Sequence, residues 1–192
     1  MISIDKIRRF LKTEFFAAFS TSSVTTGIQM LIGIVVNKVV AMTIGPSGIA
    51  LVGQFVNYKI FATNLASGAF GKGIIKYIAD PDYSDEKVIN TSVIFSFGTS
   101  ILIGTLSAIF SSFLSEFLLK DAKYYYVFII FGILLPFFAL NKLILASING
   151  FRMYKILAYL KITNNVVALI FSTSLVLTLD FEGALSAHAI NS

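Results

Sequence analysis

Cysteine is absent from this chain, histidine occurs once, and charge is scarce: Asp, Glu, Lys and Arg make up 13% of 192 residues. Without cysteine there is no disulfide, no thiolate nucleophile and no sulfur ligand for a metal. The single histidine, His188, has no second imidazole to share a metal or a proton, and reads as a bystander. A soluble domain carries about 25% charged residues, so the shortage argues against a soluble globule. No HExxH, GxSxG, P-loop or DxD pattern occurs, and the sequon-like triplet Asn90-Thr91-Ser92 is too short to weigh against chance. Acids are missing where an enzyme of the membrane interior would need them. All ten carboxylates, from Asp5 to Glu182, fall outside the long apolar runs or at their ends. No cofactor, metal site or catalytic residue is therefore expected.

What the chain has in excess is apolar surface: 56% hydrophobic residues, 19 Phe and 8 Tyr, with a mean hydropathy of +0.84. The apolar residues fall into runs as long as a bilayer is thick, which needs roughly 20 residues of helix. The expected fold is thus an all-α integral membrane protein. Five spans are drawn: Phe15–Thr43, Ile49–Ala79, Val88–Phe113, Tyr126–Asn149 with a kink at Pro136, and Ile156–Leu179. The first is closed by Gly45-Pro46-Ser47-Gly48, a turn signal. A sixth helix begins at Ala184 and has only nine residues through Ser192, so the reading is one lobe over 1–192 that stops within helix six.

Net charge is +5. The cations cluster at the ends of apolar runs, as topology signals do, so no nucleic-acid partner is expected. With the N-terminus inside, Lys6, Arg8, Arg9, Lys12, Lys72, Lys76, Lys87, Arg152, Lys155 and Lys161 are cytoplasmic, against Lys120 and Lys123 outside. That bias places the N-terminus in the cytoplasm. The start, basic then apolar with no small-residue cleavage site, reads as the approach to a first helix, not a removed signal peptide.

Lys38, Lys59 and Lys142 lie inside predicted spans, with no carboxylate at the same depth. Burying such a charge costs on the order of 3 kcal/mol, so the three are candidates for a hydrated cavity that receives an anion. Snorkelling is the competing account: it suits Lys38, about five residues from its helix end, better than Lys142, and Lys59 least. Asn57, Asn64 and Gly71 recur every seven residues and put a polar stripe on the second span, either a cavity wall or a hydrogen-bonded seam. Ser22, Thr26, Gln29, Gly33 and Asn37 give the first span a looser polar face. Gly27, Gly33, Gly68, Ala69, Gly71 and Gly73 are expected to permit close helix packing.

The stretch KVVAMTIGPSGIALVGQF (Lys38–Phe55) followed by LASGAFGKGIIKYIAD (Leu65–Asp80) resembles the start of Wzx-type flippases of the MOP superfamily. These include the O-antigen and lipid III flippases. Asn149–Arg152 (NGFR) and Glu182–Leu185 (EGAL) fall where such proteins end a fourth and begin a sixth helix. The resemblance implies one lobe, five spans and the start of a sixth, of a two-lobe transporter with about twelve helices. It implies a bacterial inner-membrane protein that moves undecaprenyl-pyrophosphate-linked oligosaccharide, such as an O-antigen repeat unit. Membrane lipids and the O-antigen polymerisation machinery are the other partners it implies, and the pyrophosphate is the anion that Lys59, Lys142 and Lys38, with Asn57 and Asn64, would receive. A drug or cation exporter lobe would want intramembrane carboxylates, a scaffold would tolerate neutral residues at the three lysines, and a membrane glycosyltransferase would carry larger loops.

Overall fold

The computed structural model describes residues 4–67, 70–80 and 82–190, and nearly all of them are helical. The elements are α1 (Ile4–Ser67), α2 (Phe70–Ile78), α3 (Asp85–Ile109), α4 (Ser111–Leu119), a 3-10 turn (Ala122–Tyr124), α5 (Tyr125–Gly150) and α6 (Tyr154–Ile190). Three segments among the described residues are long and apolar enough to cross a membrane: Asp85–Ile109, Ala122–Gly150 and Tyr154–Ile190. The all-α membrane class therefore holds.

Two of the helices are pairs joined at a kink. α1 breaks at Gly45, whose φ of 70° and ψ of 178° suit only a residue without a Cβ. Pro46 follows at the first helical position, where its missing N–H has no helix partner to lose. The turn read from Gly-Pro-Ser-Gly thus separates an arm over 4–44 from an arm over 46–67. α6 breaks at Asp180, φ 48° and ψ −123°. Past that kink the chain turns tightly on itself, since a Cβ on Gly183 would stand 1.9 Å from the Leu175 carbonyl oxygen. The arm over 181–190 then runs inward, with Ala184, Leu185 and Ala189 joining Val52, Phe55, Val127, Phe128 and Phe131 in the core.

The second expected span is shorter than drawn. Its helix ends at Ser67, and the separate helix α2 follows. Two hydroxyls of α3 hold that end, Ser96 Oγ and Thr99 Oγ1 both donating to the Ala66 carbonyl, at 3.2 and 2.6 Å. They satisfy a carbonyl that the helix can no longer reach itself. The packing glycines also differ from expectation. A Cβ on Gly27, Gly33 or Gly71 would meet nothing within 4 Å, and one on Gly73 would touch only Tyr77 of its own helix. Gly68 and Ala69 lie outside the described residues, as do the side chains of Ser22, Gln29 and Asn37.

Close approach instead occurs between α3 and α5, where a Cβ on Gly104 would lie 2.3 Å from the Gly132 carbonyl oxygen and one on Gly132 would lie 2.4 Å from that of Gly104. α5 continues as helix through Pro136, which has no N–H to offer the carbonyl four residues back. That carbonyl belongs to Gly132, the one against which Gly104 packs. Ser92, Ser96, Ser100, Ser107, Ser111 and Ser115 line the same buried face of α3 and α4. Small side chains at this spacing let two backbones meet within a membrane, where apolar burial alone does not hold helices together.

Candidate functional site

Three lysines from three different helices face one cleft. Lys59 comes from the 46–67 arm of α1, Lys142 from α5 and Lys161 from α6, and all line a cavity of about 350 Å³. Lys59 precedes the end of its helix at Ser67 by eight residues, Lys142 precedes Gly150 by eight, and Lys161 follows Tyr154 by seven. At a rise of 1.5 Å per residue Lys142 and Lys161 are about 10–12 Å from the end of the lobe where α5 meets α6. Lys59 starts deeper, because its helix stops short of that end, with Ala66 held by Ser96 and Thr99 of α3, and its side chain reaches the same cleft.

The wall between the cations is amide and hydroxyl. Thr63, Asn64, Asn141, Asn164 and Asn165 supply it, with Phe138, Ile60 and Leu145 as the apolar part. A second compartment of about 730 Å³ shares Asn64, Lys142, Leu145 and Lys161 and adds Lys72, Gly71 and Asn149. Among the described residues, no Asp or Glu lines either compartment. Lys59 Nζ donates to the His188 backbone carbonyl at 2.8 Å and stands 5.5 Å from the centroid of Phe138. Lys142 Nζ donates to Asn64 Oδ1. Both ammonium groups are thus steered by neutral oxygens, which satisfy donors without cancelling charge. Thr63 Oγ1 is buried and has no hydrogen-bond partner among the described residues, a polar atom on the wall with capacity to spare.

The candidates named from the sequence separate here. Lys59, Lys142 and Asn64 meet in the cleft. Asn57 is exposed two turns before Asn64 and lines neither compartment. Lys38 is exposed on the other arm of α1, beyond the Gly45 kink, and also lines neither. The Asn57–Asn64–Gly71 stripe is not one helical face, because Gly71 belongs to α2; it still adjoins Asn64 across the second compartment. His188 has a role that its imidazole does not explain: its main-chain oxygen holds Lys59.

Lys161, counted above with the cytoplasmic cations, is a cleft residue, and Asn164 and Asn165 come with it. Their signal was present, since Lys161 lies inside the span drawn from Ile156 and Lys-Ile-Thr-Asn-Asn is a polar interruption of it. Seven further cations, from Lys72 onward, sort by end. Lys72, Lys76, Lys87, Arg152 and Lys155 lie where α2, the start of α3 and the α5–α6 junction meet, tied by the contact of Gly150 with Ile75 and Ile78; Lys120 and Lys123 lie at the opposite end, between α4 and α5.

The cleft of this helical membrane lobe is lined by lysine, asparagine and threonine, with no acid among its described lining residues. A family model described as polysaccharide biosynthesis protein matches residues 16–192, and the chain belongs to that family. No curated protein and no solved structure matches it.

Proposed function

We propose that this chain is one lobe of a flippase for lipid-linked oligosaccharide, and that the cleft receives the diphosphate joining the sugar to its polyprenyl carrier. The observation that carries this reading is the convergence of Lys59, Lys142 and Lys161 on one cleft, with no carboxylate among its described lining residues. A diphosphate matches several cations and amide donors at once, and its entry repays the cost of keeping ammonium groups inside the membrane. The family supports polysaccharide as the cargo class; the O-antigen repeat unit and the undecaprenyl carrier are our finer reading from the flippase resemblance. A drug or cation exporter would place acids on this wall. A transport role, with no catalytic residue, suits a site whose side chains are lysine, asparagine and threonine.

The deciding measurement is export and membrane abundance together, in cells whose surface polysaccharide depends on this protein. Lys59→Ala and Lys59→Met should reduce export by about tenfold or more at near-normal abundance. Lys59→Arg should keep part of it, since charge survives while geometry changes. Full export by Lys59→Met would sink the proposal.

We further place the protein in the bacterial inner membrane with its N-terminus cytoplasmic, supported by the basic end formed by Lys72, Lys76, Lys87, Arg152 and Lys155. Because the chain has no cysteine, Ser84→Cys and Lys120→Cys give clean single labels. An impermeant thiol reagent on intact spheroplasts should label position 120 and spare position 84; the reverse pattern inverts the orientation.

A further inference from the structure

A second cavity, of about 680 Å³, opens at the basic end between α2 and the first turns of α3. The short helix α2 builds one wall because its two sides differ. Ile74 is 1% exposed, and Ile75 and Ile78 pack with it against Leu143, Ala146 and Gly150 of α5. Lys72, Lys76 and Tyr77 are left exposed on the other side. α3 supplies the facing wall with Lys87, Thr91 and Ser92.

Three features of this cavity go beyond what a topology signal needs. Its three lysines are accompanied by four hydroxyls, from Tyr77, Tyr83, Thr91 and Ser92, and by no acid among the lining residues. The rings of Tyr77 and Tyr83 lie 4.7 Å apart and hold the loop before α3 against α2. Asp82, Asp85 and Glu86 of that loop and helix start are exposed and lie outside the lining. Finally, Phe70 on the cavity wall stacks on Phe95, with centroids 5.8 Å apart. Phe95 and its neighbour Ile94 are 57% and 71% exposed on α3, a helix apolar enough to cross the membrane. The cavity therefore passes from a cationic, hydroxyl-rich mouth onto an apolar surface of a helix apolar enough to cross the membrane.

We propose that this cavity holds the headgroup of an anionic glycerophospholipid, its phosphate between Lys72, Lys76 and Lys87 and its acyl chains along Phe70, Ile94 and Phe95. The charge of the mouth selects an anionic over a zwitterionic lipid, and the apolar continuation selects a lipid over a free phosphate. This site is separate from the cleft and does not depend on the flippase reading. Lys72, which lines both this cavity and the outer compartment of the cleft, is the one residue they share.

The test uses the full chain in phosphatidylcholine nanodiscs, with a phosphatidylglycerol probe carrying a photoreactive group near its headgroup. Cross-links should map to residues 70–95, and unlabelled phosphatidylglycerol should compete about tenfold better than phosphatidylcholine. The triple substitution Lys72→Gln, Lys76→Gln, Lys87→Gln should remove the labelling, whereas the triple Lys→Arg variant and Lys120→Gln with Lys123→Gln should keep it. The Arg variant guards against a Gln variant that merely fails to fold. Unchanged labelling in a folded Gln variant, equal competition by phosphatidylcholine, or displacement by inorganic diphosphate at the same concentration as phosphatidylglycerol would each overturn the proposal.

Discussion

The inner cleft and the basic end each gather three lysines, yet they hold them in opposite ways. In the cleft, Lys59 is tied to a main-chain carbonyl and Lys142 to an amide oxygen, and the wall is asparagine and threonine. At the basic end Lys72, Lys76 and Lys87 are exposed, their setting is tyrosine and hydroxyl, and carboxylates stand nearby in the loop. Exposed cations are hydrated and cost little to keep. Cations inside a membrane are costly unless something polar orients and then neutralises them. The first set suits recognition of a moving charged cargo, the second a resident lipid of the surface.

Both regions hang on the same helix crossing, and the largest effect should come from breaking it. Gly104→Leu would drive a side chain into the Gly132 carbonyl, a backbone atom that has no room to yield. Overpacking of this kind costs about 3 kcal/mol or more when backbones must separate. Membrane abundance, export and phosphatidylglycerol labelling should all be lost together; a stable, exporting Gly104→Leu variant would show that the crossing does not hold the lobe. The next effect distinguishes the regions. Lys142→Gln with Lys161→Gln should lower export by about tenfold or more and leave lipid labelling intact. Lys76→Gln with Lys87→Gln should do the converse, with export changed less than about threefold. Equal loss of both readouts in both variants would dissolve the distinction.

Much of this architecture was legible in the chain, for local reasons. Gly45-Pro46 marks its kink because positive φ and a missing N–H are properties of single residues. The apolar runs mark α3, α5 and α6 because length against bilayer thickness is a simple constraint. The stop at Ser67 was not legible, since the groups that hold the Ala66 carbonyl there are two hydroxyls of α3, some 30 residues away in sequence. The serine face of α3 is not legible as a packing face because serine reads as polar, although in a membrane its small size is what matters. Lys59 and Lys142 could be singled out by depth alone. The carbonyl that holds Lys59 could not, for main-chain oxygens carry no residue signature and this one arrives only after the turn at Asp180.

A smaller effect is expected at the amide that holds Lys142. Asn64→Leu removes the acceptor without touching a charge, so the ammonium group remains but is no longer aimed. Export should fall about threefold to tenfold, the net worth of one intramolecular hydrogen bond. A loss as deep as that of the Lys59 variants would make Asn64 a direct ligand of the cargo and not a positioning residue.

The smallest effect should be at Lys38, and it bears most directly on where the anion path lies. Lys38 and Lys59 are both lysines of α1 inside apolar sequence, and by composition alone they are equivalent. The Gly45 kink separates them: Lys59 turns into the cleft, while Lys38 is exposed on the arm over 4–44 and lines neither compartment. Near the end of its arm, its long stem can carry the charge toward the interface, which removes most of the burial cost and with it the need for an anionic partner. Lys38→Gln should therefore leave export and abundance within about twofold of the parent, as exposed single charges usually do. Measured beside Lys59→Gln under the same expression, the pair isolates position from charge. A tenfold loss of export in Lys38→Gln at normal abundance would bring the first arm of α1 into the anion path and extend the cleft beyond the segments that form it.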